Sequence, residues 1–292
     1  MNETKRFLGL ELAGAKNQKT SLAVLEFYPK EQKVFLLDIF DHITYPENQT
    51  GDEAVLEAIR EEKSKSVVLG VNVALDLPPC ITCIRKHCPT PSNCTVPAVK
   101  WMREITEEAS EKASNGENLS VRVQEFTPYT QRPIELWTRY KVLPELKNIP
   151  ASDESFQIDE TLGGNRAPLV ARMNYLKRHL SDFTLVEVWP KLSMSLIASS
   201  IGVSKRAINS YRKLEDGVHA REEILITLTK AQQIFIYERD LNKLSQSLSA
   251  FDAFICAYTA LLSDRDLCAP TPKGFPHSSG WVQYPQFKES DS

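Results

Sequence analysis

Four of the six cysteines lie within fifteen residues, with the spacing C-x2-C-x4-C-x5-C. They are Cys80, Cys83, Cys88 and Cys94. We expect no signal peptide, because only about seven apolar residues follow the first charged ones, and therefore a cytoplasmic protein with reduced thiols. In a reducing compartment clustered cysteines indicate a metal site rather than disulfides. Four thiolates predict a closed, structural Zn²⁺ site, and an iron–sulfur cluster with the same ligands is the alternative.

Three carboxylates and one amide lie within apolar runs, where an unpaired charge costs on the order of several kcal/mol. Glu11 lies in FLGLELA, Glu187 in FTLVEVW and Asp252 in LSAFDAFICAYTALL, while Asn72 ends VVLGVNV. Each carboxylate therefore needs an arginine, a proton or a cation. Carboxylates from separate elements can meet at one divalent ion, because a hard ion such as Mg²⁺ takes oxygen ligands. The alternative is that each carboxylate lies at the end of its element and points to water.

A basic segment covers residues 161–214, where nine lysines and arginines face two acidic residues, although the whole chain carries a net charge of -3. A segment with this charge can follow a phosphate backbone, and nucleic acid is the expected partner. The alternative is that these residues cover the solvent faces of helices. The candidate nucleic-acid-binding residues are Arg166, Arg172, Lys177, Arg178, Lys205, Arg206, Arg212 and Lys213.

The composition excludes several other classes of protein. With 42% hydrophobic and 25% charged residues, the chain is neither disordered, collagen-like nor a coiled coil. No apolar run approaches the length of a membrane-spanning helix, so no membrane partner is expected. The slightly negative net charge argues against binding of nucleic acid by the whole surface.

The apolar pattern predicts an α/β fold in a single domain of residues 1–292. Three strands form an antiparallel meander and precede a helix, a strand buried on both faces and a Cys-rich insertion at 77–97. Pro97 starts the next helix, since proline is favoured in the first turn. The predicted strands cover residues 7–13, 21–28, 33–40, 66–73, 119–126 and 183–189, and the predicted helices 52–62, from 97, 165–180 and most of 190–262.

The order of these elements and of several short motifs resembles the ribonuclease H fold. More closely, the chain resembles the domain-of-unknown-function family 429, whose members are described as predicted nucleases of that fold. The resemblance covers nearly the whole chain. The matching stretches are GLELAG (9–14), GVNVALDLPP (70–79), QRPIELWTR (131–139), VEVWP (186–190), FDAFICAYTA (251–260) and GWVQYP (280–285), together with Tyr211, Lys213, Gly217 and Arg221.

The resemblance implies a mixed five-stranded sheet, with three antiparallel strands followed by parallel strands and with flanking helices. It implies catalytic metal-ligand roles for Glu11, Glu187 and Asp252 around Mg²⁺ or Mn²⁺. Asn72 joins them at a position where the family carries Asp, and Asp76 could partly replace the missing carboxylate. The resemblance also places three supporting residues near the site, on one helical face at i, i+3 and i+7: Arg132, Glu135 and Arg139.

The implied function is hydrolysis of phosphodiester bonds by two metal ions, one activating water and the other stabilising the leaving oxygen. Three alternatives stay open. A catalytically degenerate nucleic-acid-binding protein is favoured by Asn72. Sequence-specific DNA binding is suggested by residues 195–214, which imitate a helix-turn-helix with Ser204 capping its second helix. Nucleotide hydrolysis is suggested by GLELAGAKNQKTS (9–21), which resembles the first phosphate loop of the sugar-kinase and actin-like ATPases. The oligomeric state is not indicated.

Overall fold

The computed structural model describes residues 4–14, 20–62, 67–116, 123–146, 158–232 and 234–286. It has an α/β fold with a mixed seven-stranded sheet flanked by helices. The contacts within the chain divide it into two compact units. The first unit consists of Met1–Val73, Ala171–Pro270 and Val282–Ser292, and the second of Ala74–Val170 and Thr271–Trp281.

The sheet belongs to the first unit, and its order is β6-β3-β2-β1-β4-β5-β7. The antiparallel meander of the first three strands is confirmed, and β4 and β5 follow parallel to β1. Five of the six predicted strands are joined by two edge strands of two residues each, β6 and β7. The strands are β1 Lys5–Glu11, β2 Ser21–Tyr28, β3 Lys33–Phe40, β4 Val67–Val71, β5 Thr184–Val188, β6 Ile234–Phe235 and β7 Val282–Gln283.

The helices occupy most of the predicted regions. Among the described helices, none combines the length and the apolar composition that a membrane span requires. The helices are α1 Gly51–Glu61, α2 Pro97–Ser114, α3 Pro133–Trp137, α4 Leu143–Glu145, α5 Arg166–Leu176, α6 Pro190–Ser200, α7 Lys205–Ser210, α8 Gly217–Gln232, α9 Glu238–Gln246 and α10 Leu248–Asp264. Short 3₁₀ turns cover Pro91–Asn93 and Lys177–His179, and a π-helical turn covers Thr138–Val142.

One face of the sheet is covered by α10, which packs unusually close to the strands. Gly9 of β1 and Gly70 of β4 are paired in register. A Cβ at Gly9 would lie 2.0 Å from the Ala253 carbonyl oxygen, and one at Gly70 would lie 2.4 Å from that of Cys256. Only glycine lets a helix backbone approach a strand this closely. The paired glycines therefore bring α10 against the centre of the sheet.

On the opposite face of the sheet, β1 is linked to the end of α1. Arg6 lies on the face of β1 opposite to the one that contacts α10, because side chains alternate along a strand. It forms ion pairs with Glu26 and with Glu62 at the end of α1. Thr50 caps the start of this helix in a capping box with Glu53, which fixes the point where α1 begins. The sheet of the first unit is thus flanked by helices.

The second unit has a separate helical core. Pro97 opens α2 as predicted, and the apolar side of α2 packs against α3 and the π-helical turn. The predicted strand at 119–126 lies partly outside the described residues, and its described part, 123–126, forms no strand. That prediction is wrong for 123–126, because Val123 and Phe126 pack against the helical core instead. The buried core consists of Met102, Ile105, Ala109, Leu136 and Tyr140.

Candidate active site

The candidate site begins where β1 and β4 separate. Asn72 follows β4, and its backbone N–H still donates to the Leu10 carbonyl oxygen at 3.2 Å. Its side-chain oxygen then accepts a hydrogen bond from the Leu12 N–H at 2.9 Å, in place of the next ladder bond. The buried amide therefore ties the two strand ends together, and one of its oxygen lone pairs is already used.

The pleat of the strands decides which side chains meet here. Side chains alternate between the two faces of a strand, so residues two apart share a face. Glu11 is two residues beyond Gly9, and Asn72 is two residues beyond Gly70. Both glycines contact α10, and Glu11 and Asn72 therefore lie on the face that α10 covers. Asp252 comes to the same face from α10 itself.

Asp252 is buried, with 2% of its surface exposed. Its Oδ2 accepts a hydrogen bond from Arg212 Nη1 at 2.6 Å, whereas its Oδ1 is buried without a hydrogen-bond partner among the described residues. Burial raises the pKa of the Asp252 carboxyl, and the nearby Arg212 and Arg221 lower it only in part. Asp252 thus carries a carboxylate oxygen that lacks a donor in an apolar helix.

The charges of Glu11 and Asp252 shift the pKa values of the same two groups, Tyr211 and Cys256. Burial raises the pKa of the Tyr211 hydroxyl, and the charges of Asp252 and Glu11 raise it further. Burial also raises the pKa of the Cys256 thiol, and the same two carboxylates add to that rise. The charges of Glu11 and Asp252 therefore both reach Tyr211 and Cys256.

Arg212 connects the buried Asp252 carboxylate to solvent. Its side chain is 40% exposed, and its Nη1 also donates to the Tyr211 hydroxyl at 3.1 Å. The sequence predicted Arg212 only as one of several basic residues. Its partner Asp252 is forty positions away, a separation at which no local pattern connects two residues.

A buried arginine of α8 holds Tyr211 and Arg212 in place. Arg221 donates through Nε to the Ser245 carbonyl oxygen at 2.7 Å and through Nη1 to that of Tyr211. A Cβ at Gly217 would lie 2.8 Å from Arg221 Nη1 and 2.9 Å from the Tyr211 oxygen. The Tyr211, Gly217 and Arg221 pattern of the sequence therefore describes one contact, whose positioning role the sequence alone did not suggest.

Glu187 is buried, with 2% of its surface exposed, but it lies on the other face of the sheet. Its partner on β4 is Val71, whereas Gly70, which faces α10, pairs with Val186. Glu187 accepts a hydrogen bond from Trp189 Nε1 at 3.2 Å. The register therefore places Glu11, Asn72 and Asp252 on one face of the sheet and Glu187 on the other.

The four predicted supporting residues belong to the second unit. Arg132 and Glu135 form a buried ion pair, with Arg132 Nη2 3.0 Å from Glu135 Oε1, so their predicted i, i+3 neighbourhood is confirmed. Arg139 lies beyond the end of α3 at Trp137, in the π-helical turn, whose periodicity differs from that of an α-helix. Its Nη1 donates to the Gln124 side chain at 3.0 Å. Asp76 packs against Gly280, where a Cβ would lie 2.1 Å from Asp76 Oδ2.

The predicted basic residues divide into paired and exposed ones. Arg172 Nε lies 2.6 Å from Asp52 Oδ1, and Nη1 donates to the Ala13 carbonyl oxygen at 2.6 Å. Arg172 is thereby committed to holding α5 and α1 to the sheet, and Arg212 pairs with Asp252. Arg166 and Lys177 are half-buried and have partners. The exposed remainder comprises Arg178, Lys205, Arg206 and Lys213, of which Arg206 lies 4.0 Å from Asp216 Oδ2 through its Nη2.

The helix-turn-helix prediction is matched locally by α6 and α7. Ser204 caps α7, since its hydroxyl oxygen accepts a hydrogen bond from the Ala207 N–H at 3.2 Å. However, α7 has only six residues, which is short for a helix that reads a major groove. The predicted phosphate loop at 9–21 includes residues 15–19, which lie outside the described part of the chain.

The four clustered cysteines lie in the second unit, and none of them forms a disulfide. Cys94 is buried, Cys80 is half-buried, and Cys83 and Cys88 are exposed. Burial raises the pKa of the Cys80 thiol, and the charges of Cys94, Cys88 and Cys83 each raise it further. Across the described residues, no three side chains of His, Cys, Asp or Glu are arranged to hold a metal ion.

Comparisons of the chain with protein-family models, with curated proteins and with solved structures found no match. A function for this protein must therefore be inferred from the chemistry of its own residues.

Proposed function

We propose that the protein hydrolyses phosphodiester bonds with the help of one divalent cation, Mg²⁺ or Mn²⁺, held by Glu11 and Asp252. The observation that carries this proposal is the buried Oδ1 of Asp252, which has no hydrogen-bond donor among the described residues. A buried carboxylate oxygen in that situation needs a proton or a cation. The charge of a second carboxylate, Glu11, raises the pKa values of Tyr211 and Cys256 as the charge of Asp252 does. This second negative charge favours a cation over a proton.

The available oxygens fit one ion. Protein-bound Mg²⁺ is typically held by one or two carboxylates and keeps waters or substrate phosphates as its other ligands. Glu11 and Asp252 supply two carboxylates on one face, while Glu187 lies across the sheet. The proposal therefore keeps one ion of the predicted two-ion mechanism. A divalent ion bound here would supply a Lewis acid for the phosphoryl oxygen and lower the pKa of an attacking water.

Arg212 supplies the contact to the substrate. A guanidinium carries five N–H donors, and Arg212 Nη1 is the atom directed at Asp252 and Tyr211. The exposed part of the side chain keeps donors for a phosphate oxygen. The same segment of the chain exposes three more basic side chains that extend the positive charge, those of Lys205, Arg206 and Lys213. This arrangement supports binding of a nucleic-acid backbone beside the carboxylates.

The arrangement of the strands also supports the predicted ribonuclease H-like fold. The five longer strands have the order β3-β2-β1-β4-β5, and β2 alone runs against the others. The two carboxylates come from the first strand and from α10, the last helix described. We infer that the chain belongs to this class of nucleases.

A second candidate function is nucleic-acid binding without catalysis. Arg212 lies 2.6 Å from Asp252 and already offsets its charge, and the Asn72 oxygen is engaged by the Leu12 N–H. A site with these two features binds a cation less tightly than one with three free carboxylates.

The test is cleavage of labelled RNA, DNA and hybrid substrates by the full chain with Mg²⁺ or Mn²⁺. We expect cleavage by the wild type, and a loss of about 100-fold or more in Glu11→Gln and Asp252→Asn, because even partners behind metal ligands contribute 10–100-fold. Asp240→Asn is the matched control, since Asp240 is also fully buried and paired with an arginine, but on α9.

Thermal unfolding gives an independent readout. Mg²⁺ should raise the unfolding temperature of the wild type and of Asp240→Asn, because a ligand that binds only the native state stabilises it, but not that of Asp252→Asn. Equal cleavage by the wild type and Asp252→Asn would refute the nuclease. Metal-independent binding of nucleic acid without any cleavage would establish the second candidate instead.

A further inference from the structure

The Cys-rich loop of the second unit, residues 77–96, lacks a core of its own. Every residue from 81 to 88 is exposed, and Ile84 is 97% exposed. Few backbone hydrogen bonds hold the loop, among them Ile81 N–H to the Pro78 oxygen at 3.0 Å and Cys80 N–H to the Pro128 oxygen at 3.0 Å. Ordering a residue costs roughly 1–2 kcal/mol of conformational entropy, which this much burial does not offset.

The end of the loop is nevertheless held in a defined shape. Thr90 has φ +73° and ψ 156°, a region that residues other than glycine rarely enter. Arg103 of α2 donates through Nη1 to three carbonyl groups of the loop, those of Pro91 at 3.0 Å, Ser92 at 2.8 Å and Cys94 at 3.3 Å. One buried cysteine, Cys94, is thereby fixed on the helical core.

We propose that Cys80, Cys83, Cys88 and Cys94 bind one Zn²⁺ ion as four thiolates and that this ion closes the loop. The thiols are clustered in the sequence, unpaired as disulfides and unequal in exposure. Cys80 and Cys94 are anchored by the contacts to Pro128 and Arg103, whereas Cys83 and Cys88 lie on the unpacked stretch. The anchored pair provides half of a tetrahedral site, and the exposed pair completes it.

Cys83, Cys88 and Cys94 each lie within electrostatic range of Cys80. Four thiolates repel one another without a cation, and a divalent ion removes that repulsion while each thiol releases its proton to solvent. No three of the described thiols are placed to ligate as they stand, and the movement required falls on residues 81–88, which make little packing contact.

Zinc is the metal that fits best. Four-thiolate sites with all coordination positions filled are structural Zn²⁺ sites, and metal binding then supplies the folding free energy that a small core cannot. This proposal concerns the second unit and is independent of the nuclease proposal. A protein without nuclease activity can retain the zinc, and a protein without zinc can retain Glu11 and Asp252.

The test is metal analysis of the full chain purified without oxygen. We expect one zinc ion per chain in the wild type, no bound zinc in the double variant Cys83→Ser/Cys88→Ser, and unchanged zinc in Cys268→Ser, a matched control in the first unit. The double variant is chosen because both side chains are exposed, so their replacement leaves the packed core intact. A single replacement would be ambiguous, because His87 could take the place of the adjacent Cys88.

Cobalt substitution gives a spectroscopic readout. Co²⁺ added to the metal-free wild type should produce the charge-transfer and visible bands of a tetrahedral thiolate site, and Cys83→Ser/Cys88→Ser should not produce them. Iron with labile sulfide in the wild type would overturn the proposal, as would a metal-free protein that shows no cobalt bands. Zinc retained at one equivalent in the double variant would also overturn it.

Discussion

The pairing of Asp252 with Arg212 is the central feature of the candidate site at the scale of single residues. A carboxylate inside an apolar helix can be neutralised by an arginine, a proton or a cation, and Asp252 uses the first for only one of its oxygens. Truncating Arg212 would leave the buried charge of Asp252 uncompensated. The other oxygen is the one that the proposed cation would bind. Arg221 and Gly217 then matter because they hold the backbone that carries Arg212.

The thiols of the first unit give a prediction at this scale. Cys268 donates to the Thr259 carbonyl oxygen, and burial raises its pKa to about 12. Burial also raises the pKa of Cys256 well above its ordinary value. Only thiolates react with iodoacetamide, so at pH 8 the native, metal-free protein should label at Cys83 and Cys88 and not at these two cysteines.

Peptide mapping by mass spectrometry measures this labelling. The fully unfolded chain is the control, in which all six cysteines should react. Labelling of Cys256 at the rate of Cys83 in the native protein would contradict the burial of the α10 face of the sheet.

At the scale of elements, the pleat and the register of the strands decide the composition of the site. Glu11 and Asn72 follow the two glycines that face α10, whereas Glu187 pairs with Val71 and faces the other way. A register shift of one residue reverses a side chain to the opposite face. The close approach of α10 is what brings Asp252 to the strand ends.

The paired glycines therefore give a prediction about stability. Gly9→Ala and Gly70→Ala should each lower the free energy of unfolding by about 3 kcal/mol or more, because the added Cβ meets helix backbone, which cannot rotate away. Gly202→Ala is the control, since Gly202 has φ +78° and open space around it. It should cost only the strain of a left-handed residue, about 1–2 kcal/mol.

Denaturation by guanidinium chloride measures these differences. Equal losses in Gly9→Ala and Gly202→Ala would show that α10 does not contact the strands through its backbone.

At the scale of the whole molecule, the chain forms two compact units with separate chemistry. The first unit contains the sheet, Glu11, Asp252 and Arg212, and the second contains the cysteines and the buried Arg132–Glu135 pair. Each unit has its own buried apolar residues. Cooperative unfolding follows such cores, so each unit should have an opening free energy of its own.

This division gives a prediction for hydrogen exchange. Leu136→Ala removes a fully buried side chain from the core of the second unit and should cost about 2–5 kcal/mol there. We expect faster amide exchange in α2 and unchanged exchange in α10. Leu225→Ala, at a fully buried position of α8, is the reciprocal control and should accelerate exchange in the first unit. Equal acceleration in α2 and α10 by either variant would indicate a single cooperative unit.

The amino-acid sequence by itself determined the local features of this protein. Apolar periodicity predicted the meander, β4, β5 and most helices, because burial of one face imposes its period on the residues. Pro97 and Ser204 predicted where α2 and α7 begin, since both act on backbone groups of their own turn. The sequence also singled out Glu11 and Asp252, because a carboxylate inside an apolar run needs a partner.

Only the tertiary structure decided which of those residues meet. Strand pairing placed Glu187 on the opposite face from Glu11, and the fold supplied Arg212 as the partner of Asp252. The edge strands β6 and β7, two residues each, exist only because a neighbouring strand offers hydrogen bonds. Register, facing and ion pairing depend on contacts between residues far apart along the chain, and no local pattern of residue types encodes them.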